Sequence, residues 1–259
     1  MKILLFDIET APSLAYMWSL WKEIMSMTFV EEDWFILCWG AKWLGEKEVI
    51  SSALPDFKQY KKNKRDDRLI LKKLWKLLDE ADVVITHNGI KFDHKKVNAR
   101  FLMNGMTPPS PYRTIDTLAV ARNQFAFTSN KLGDLAKFLG LGQKTDTGGF
   151  ELWRDCIEGK LKAWKTMVKY CKHDVDLLEE VYLEMRPYMH HHPNVSIYCE
   201  DVTKCCPKCG SEDLHYRGYY YTNMQKFHRF VCNDCGGWGR DRSNQLDKEK
   251  RKTITTNAG

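Results

Sequence analysis

The segment Lys2-Ile3-Leu4-Leu5-Phe6-Asp7-Ile8-Glu9-Thr10 most constrains what this chain can become. Its first residues are strand formers with no polar break after Lys2, the composition of a buried strand. On a strand, residues i and i+2 point to the same face, so Asp7 and Glu9 project side by side. Two carboxylates at the end of a buried strand repel each other and lose hydration, and the fold must bring positive charge between them. A divalent cation meets that need. Alternating acids also decorate exposed strands, and this segment alone leaves both readings open.

The rest of the first 190 residues alternates strand and helix signals. Trp34 to Trp43 reads as a strand, with Glu48 to Ser51 as its partner across a turn at Gly45-Glu46-Lys47. With the first strand this begins a mixed sheet. Leu69, Ile70, Leu74, Leu77 and Leu78 recur at helical spacing between Asp67 and Glu80. Asp82 to Thr86 is a buried strand that runs into the turn His87-Asn88-Gly89, and a second helix follows Phe92-Asp93 and stops before Pro108, Pro109 and Pro111. Ile115-Asp116-Thr117-Leu118 opens another helix, Asn130 is a candidate cap for 131–139, and the polar stretch Thr145 to Gly149 reads as a mobile loop. Leu161 to Met189 reads as one long helix with an apolar stripe from Trp164 to Tyr182.

Composition narrows the class. The chain has 259 residues, 43% hydrophobic and 29% charged, and carries a formal charge of +6, which permits a polyanionic partner without requiring one. No apolar run approaches the ~20 residues that span a bilayer, so no membrane partner and a cytoplasmic, reducing location are expected. Of nine cysteines, Cys38, Cys156 and Cys171 lie scattered and the rest follow residue 198. That distribution favours reduced thiols and one metal site over a disulfide framework.

Two further acids complete a pattern. Asp93 sits where a strand turns into a helix, and Asp174 sits on the long helix four residues after Tyr170, so phenol and carboxylate share one face. Four carboxylates on a strand, a strand-helix junction and a helix suit phosphodiester hydrolysis with two divalent ions about 3.5–4 Å apart. Hard oxygen donors point to Mg²⁺ or Mn²⁺.

Asp7-x-Glu9, Asn88 to Phe92-Asp93 and Tyr170-x-x-x-Asp174 resemble, in order and spacing, the three motifs of the DEDD (DnaQ-like) 3'-5' exonuclease superfamily, tyrosine subclass, shared with family B DNA polymerase proofreading domains. The resemblance spans roughly residues 1–190 and implies an RNase H-like fold, an α/β mixed sheet flanked by helices. It also implies roles. Asp7 would bridge both metals, Glu9 and Asp174 would hold the ion that activates water, Asp93 would serve the second ion, and Tyr170 would hydrogen-bond the attacking water. Position 169 is Lys, which keeps the tyrosine assignment, and His173 reads as structural or surface. Asn88 is either a substrate contact or an Asn-Gly turn. Asp116 is better explained as a helix N-cap than as a fifth acid. Phe92, Trp18, Trp21 and Trp153 are either stacking platforms or core and are not assigned.

The last quarter is a separate module. Cys206-Pro207-Lys208-Cys209 and Cys232-Asn233-Asp234-Cys235 are two C-x-x-C knuckles separated by 22 residues, with strand-like runs Leu214 to Tyr221 and Lys226 to Val231 between them. This spacing specifies one structural Zn²⁺ in a Cys₄ zinc ribbon. Cys205 is a less suitable alternative to Cys206, Cys199 is a bystander, and His215 and His228 are surplus ligands. Arg217, Lys226, Arg229 and Arg240 stand among aromatic residues, which suits a nucleic-acid strand, with protein docking as the competing use.

The sequence therefore predicts a catalytic domain over 1–190, a linker over 191–199 at the stretch His190-His191-His192-Pro193-Asn194, a ribbon over 200–245 and a disordered tail over 246–259. The expected activity is 3'-5' exonucleolytic hydrolysis of single-stranded DNA in preference to RNA, with a replication or polymerase partner engaged through the ribbon. An exoribonuclease trimming RNA 3' ends and a nonenzymatic adaptor binding nucleic acid or a polymerase are the alternatives.

Overall fold

The computed structural model describes residues 1–19, 26–143, 148–199 and 203–257. Trp21 and most of the loop expected at 145–149 lie outside them. The chain divides into two compact units, Met1–Tyr182 and Leu183–Gly259.

The first unit is built on β1 (Ile3–Thr10), followed by two short strands, β2 (Leu14–Ala15) and β3 (Val30–Glu32), that pair with each other. Then come β4 (Ile36–Trp43), β5 (Ile50–Ala53), α1 (Arg68–Glu80), β6 (Val83–Thr86), α2 (Asp93–Met103), β7 (Arg113–Asp116), α3 (Thr117–Gln124), α4 (Leu132–Phe138), α5 (Phe150–Glu158) and α6 (Leu161–Met185). Among the described residues, five strands form a mixed sheet in the order β5-β4-β1-β6-β7, with β4 antiparallel to β1 and β5, and β6 parallel to β1 and β7. This is the α/β mixed sheet expected from the sequence.

Helices cover both faces, which is why β1, β4 and β6 read as nearly unbroken apolar runs. On β4, Trp39 turns toward α1 and donates its indole N–H to the Ile70 carbonyl at 2.8 Å. Gly40 turns the other way, toward α6, where a Cβ would meet the Cys171 carbonyl and the Val175 side chain at 3.2 Å. A side chain there would push α6 off the sheet by a few tenths of an ångström, and glycine permits this close approach. The pairing of Asp7 with Gly40 and of Glu9 with Cys38 places both acids on that same α6 side.

A buried ionic centre locks the opposite side. Asp67, fully buried at the start of α1, accepts Arg100 Nε and Nη2, both at 2.7 Å, Asn104 Nδ2 at 3.3 Å and the Ile36 backbone N–H at 3.1 Å. It ties α1, α2 and the first residue of β4 together through a bidentate pair.

Several local expectations change. Residues 113–116 form β7, and Asp116 caps α3 one residue later than the expected helix start. The N-cap of α4 is Lys131 rather than Asn130, whose carbonyl instead accepts His87 Nε2 at 3.0 Å. A separate helix, α5, precedes α6, and α6 ends at Met185 before a 3₁₀ turn at Arg186–Tyr188, because Pro187 supplies no N–H to continue it.

The second unit holds β8 (Leu214–Tyr221), β9 (Lys226–Cys232), β10 (Trp238–Arg240) and α7 (Lys248–Lys252). Among the described residues these strands form a three-stranded antiparallel sheet in the order β10-β9-β8. The stretch 246–259, expected to be disordered, holds α7, whose Asp247 cap accepts the Lys250 N–H at 2.6 Å. Within 191–199 a 3₁₀ turn spans Val195–Tyr198, and the Val195 N–H donates to the Pro207 carbonyl at 2.8 Å.

Candidate active site and metal centre

Asp7 and Glu9 on β1 face the helix that carries Asp174, and one carboxylate oxygen from each of the three lies within 4.8 Å of the others. Asp174 is buried. Carboxylates held this close repel unless they share a cation, and an all-oxygen donor set fits Mg²⁺ or Mn²⁺. Tyr170, one turn before Asp174, is 7% exposed and packs edge-on against Trp153, with ring centroids 6.2 Å apart. Trp153 thus supports Tyr170. Cys171 lies beneath the pair, its Sγ 3.7 Å from the Asp7 carbonyl.

Asp93 is brought to β1 but not into the three-carboxylate group. It is the first residue of α2, is 2% exposed, and its Oδ1 accepts the Ile8 N–H at 3.2 Å from the backbone between Asp7 and Glu9. Burial pushes its carboxyl up to about 7, the hydrogen bonds from the Ile8 and Asp93 amides act against that rise, and the charge of Asp116 adds to it.

Asn88 adopts the left-handed conformation, with φ of 69°. Its backbone N–H donates to Asp116 Oδ1 at 2.9 Å, and the Ile90 N–H donates to Asp116 Oδ2 at 3.2 Å. Asp116 also caps α3 through the Leu118 and Ala119 N–H groups. It therefore acts as a cap and as a clasp for the 88–90 turn. Gly89 packs so closely that a Cβ there would lie 2.1 Å from Thr86 Oγ1. Phe92 and Trp18 are exposed, and His173 donates to the Gln143 carbonyl at 3.0 Å.

Asp7 and Asp174 open onto a cleft of about 780 Å³ that Asn88 and His87 also line. Its remaining lining carries Arg122 from α3, Lys131, Asp134 and Lys137 from the α4 segment, and the polar Ser129 and Asn130, with the Ser129 hydroxyl donating to Asp134. These basic residues were not singled out in the sequence, because they come from different elements and share no spacing. His87 joins the two walls, with Nδ1 2.9 Å from Thr117 Oγ1 and Nε2 donating to the Asn130 carbonyl.

In the second unit, Cys206, Cys209, Cys232 and Cys235 bring their sulfurs within 4.8 Å of one another. The Sγ separations are 3.7 Å for Cys206 and Cys235 and 3.6 Å for Cys209 and Cys232. A tetrahedron with Zn–S bonds of about 2.3 Å has edges of about 3.8 Å, so the four thiols fit zinc. Burial raises the Cys206 and Cys209 thiols. Burial also opposes ionisation of Cys232, but N–H groups of Cys235 and Asp234 and neighbouring thiols outweigh it and lower that thiol to about 7. Cys205 stands outside the four, its Sγ 2.6 Å from that of Cys199.

The four basic residues expected to contact nucleic acid divide between two faces of the sheet. Arg229 is paired with Arg240 across β9 and β10, whereas Lys226 alternates to the other face and sits 3.8 Å from the Tyr219 ring centroid. Arg217 lies at the irregularity in β8 and accepts Arg229 Nε on its carbonyl at 3.1 Å. No helix among the described residues is long and apolar enough to cross a membrane.

Comparison with known proteins gives partial matches and one family. The chain is 38% identical over 61 residues to "Protein NEN2" of Arabidopsis thaliana, covering 23% of this chain and 12% of that protein. It is 36% identical over 76 residues to "DNA polymerase III PolC-type" of Ureaplasma parvum serovar 3, covering 29% and 5% respectively. Among solved structures it is similar to the family B DNA polymerase from the hyperthermophilic archaeon Pyrobaculum calidifontis, with a TM-score of 0.48 and 14% identity over 71% of this chain and 25% of that one. The chain thus spans a small part of the curated relatives it matches. The RNase H superfamily matches residues 31–186, more than half of the chain, a range that includes Asp93, Tyr170 and Asp174. With its mixed sheet and helical layers, this chain belongs to the RNase H superfamily.

Proposed function

We propose that this protein is a metal-dependent 3'-5' exonuclease that removes nucleotides from single-stranded DNA. The observation that carries the reading is one cleft lined both by Asp7 and Asp174, whose carboxylates gather with that of Glu9, and by Arg122, Lys131 and Lys137, which outnumber the single acid Asp134 beside them. A phosphodiester strand needs both: cations for its backbone, and a metal-binding acid cluster at the bond to be cut. The partial likeness to a PolC-type DNA polymerase supports DNA as the substrate class.

In this reading Asp7, Glu9 and Asp174 would hold two Mg²⁺ or Mn²⁺ ions, and Asp93 would complete the set through the backbone it organises. Bound there, the ions supply charge neutralisation at the scissile phosphate and a lowered pKa for water. The Tyr170 hydroxyl orients the attacking water, held in place by Trp153. Water adds its oxygen to the terminal phosphorus, the 3'-oxygen of the penultimate nucleotide leaves and takes up a proton, and a 5'-mononucleotide is released. Arg122, Lys131 and Lys137 hold the strand, and Asn88 is a contact on the cleft rim. The catalytic domain is 1–190, and 200–245 is a ribbon organised by one Zn²⁺.

The test is hydrolysis of 5'-labelled single- and double-stranded DNA and RNA with Mg²⁺ or Mn²⁺, products resolved to one nucleotide. Single-nucleotide shortening of single-stranded DNA is expected, and Asp7→Ala abolishes it. Internal cleavage, a preference for RNA, or full activity of Asp7→Ala overturns the reading.

A further inference from the structure

The sheet of the second unit presents two faces with different charge balance. On β9, Lys226, His228 and Phe230 alternate with Phe227, Arg229 and Val231, so the two sets point to opposite sides. The first face contains its own counter-charge: Asp241 pairs with Lys204 at 2.8 Å and accepts the Tyr216 hydroxyl at 3.0 Å. Among the described residues, no ion pair involves the basic residues of the second face. Register places Arg240 opposite Arg229, Trp238 opposite Val231 and Tyr220 opposite Phe227. Two arginines directly opposite each other repel, and among the described residues neither takes part in an ion pair.

The arginines also lie over aromatic rings. The Arg229 guanidinium carbon lies 4.8 Å from the Trp238 ring centroid, and that of Arg240 lies 4.0 Å from Phe227 and 5.3 Å from Tyr220. Each gives one N–H to a backbone carbonyl, Arg229 to Arg217 and Arg240 to Asp241 at 3.2 Å. A guanidinium carries five N–H donors, so donors remain on both for an incoming anion. Trp238 and Tyr220, each 46% exposed, keep ring surface open between these charges.

We propose that this face, formed by Arg229, Arg240, Trp238 and Tyr220, binds single-stranded nucleic acid at a site additional to the carboxylate cleft. Phosphates bridge the Arg229–Arg240 pair and relieve its repulsion, while unpaired bases stack on Trp238 and Tyr220. An acidic protein would satisfy the charge but has no use for the exposed rings between the charges. The proposal concerns binding and does not depend on the nuclease reading.

The experiment measures affinity of the full chain for a fluorescein-labelled 15-mer of thymidine by anisotropy, across a salt series without added Mg²⁺ or Mn²⁺. Zinc content is checked for each variant. The Arg229→Ala/Arg240→Ala protein should bind about tenfold more weakly, with a log K versus log salt slope shallower by about 1.4, the release expected for two lost phosphate contacts on a single strand. Arg229→Lys/Arg240→Lys should keep the slope, and Trp238→Ala should weaken binding without changing it. Unchanged affinity in zinc-loaded Arg229→Ala/Arg240→Ala, equal losses in the Lys and Ala pairs, or equally tight binding of a poly-aspartate peptide overturns the proposal.

Discussion

Asp93 Oδ1 accepts the backbone N–H of Ile8 at 3.2 Å, so the first residue of α2 is bonded into β1 between its two acids. That bond sets the relation between the strand that carries Asp7 and Glu9 and the helix that packs on its opposite face. It also buries a carboxyl where ionisation is costly.

The pH dependence of stability follows from that burial. Asp93 is held protonated in the fold up to about pH 7, whereas the unfolded chain releases the proton near pH 4. The native state therefore binds the extra proton, and stability falls as pH rises from about 4 to about 7, by on the order of 4 kcal/mol if no cation compensates. Urea midpoints of the metal-free protein at pH 5 and pH 8 should drop more for wild type than for Asp93→Asn. Parallel drops would refute the assignment.

Tyr170→Phe removes one hydroxyl and keeps the ring packed against Trp153. If the proposed hydrolysis is right, its kcat should fall by roughly 10²-fold, the usual scale for a positioned proton-handling group, with little change in thermal midpoint. Comparable turnover in the variant would remove Tyr170 from the chemistry.

At the thiol site the adjacent cysteines Cys205 and Cys206 should separate cleanly. Only Cys206 belongs to the four-sulfur group, so Cys206→Ser should lose zinc and Cys205→Ser should retain one zinc per chain, measured by mass spectrometry of the bound metal. Because a structural zinc bound to four thiolates supplies folding free energy in so small a module, chelation should also abolish the near-ultraviolet signal of its aromatic residues if the four thiols hold one.

Arg100→Ala should destabilise the fold by about 3–5 kcal/mol in urea denaturation, since it leaves the Asp67 carboxylate buried without its bidentate partner. A loss below about 1 kcal/mol would mean that the Ile36 and Asn104 donors suffice.

Patterns that depend on near neighbours were readable in the chain itself. The apolar run of β1 with its paired acids, the helical periodicity of α1 and α6, the Asn-Gly turn and the two C-x-x-C knuckles follow from local geometry. Each has a period or spacing that only a few backbone conformations satisfy. Elements made by partners were not readable. Arg113–Asp116 is a strand because β6 offers it a parallel ladder, and β10 exists because β9 does.

The candidate site divides the same way. Asp7, Glu9, Asp93, Tyr170 and Asp174 were each visible as residues, but tertiary structure decided that three acids converge while Asp93 turns to the Ile8 amide. The cleft wall of Arg122, Lys131 and Lys137, and the division of Lys226 from Arg229 and Arg240, were likewise decided in three dimensions. Sequence alone determined which chemical groups the chain carries and the local shapes that hold them. Which groups meet was decided by strand register and helix packing, because contacts between residues far apart in the chain depend on how the whole apolar core closes.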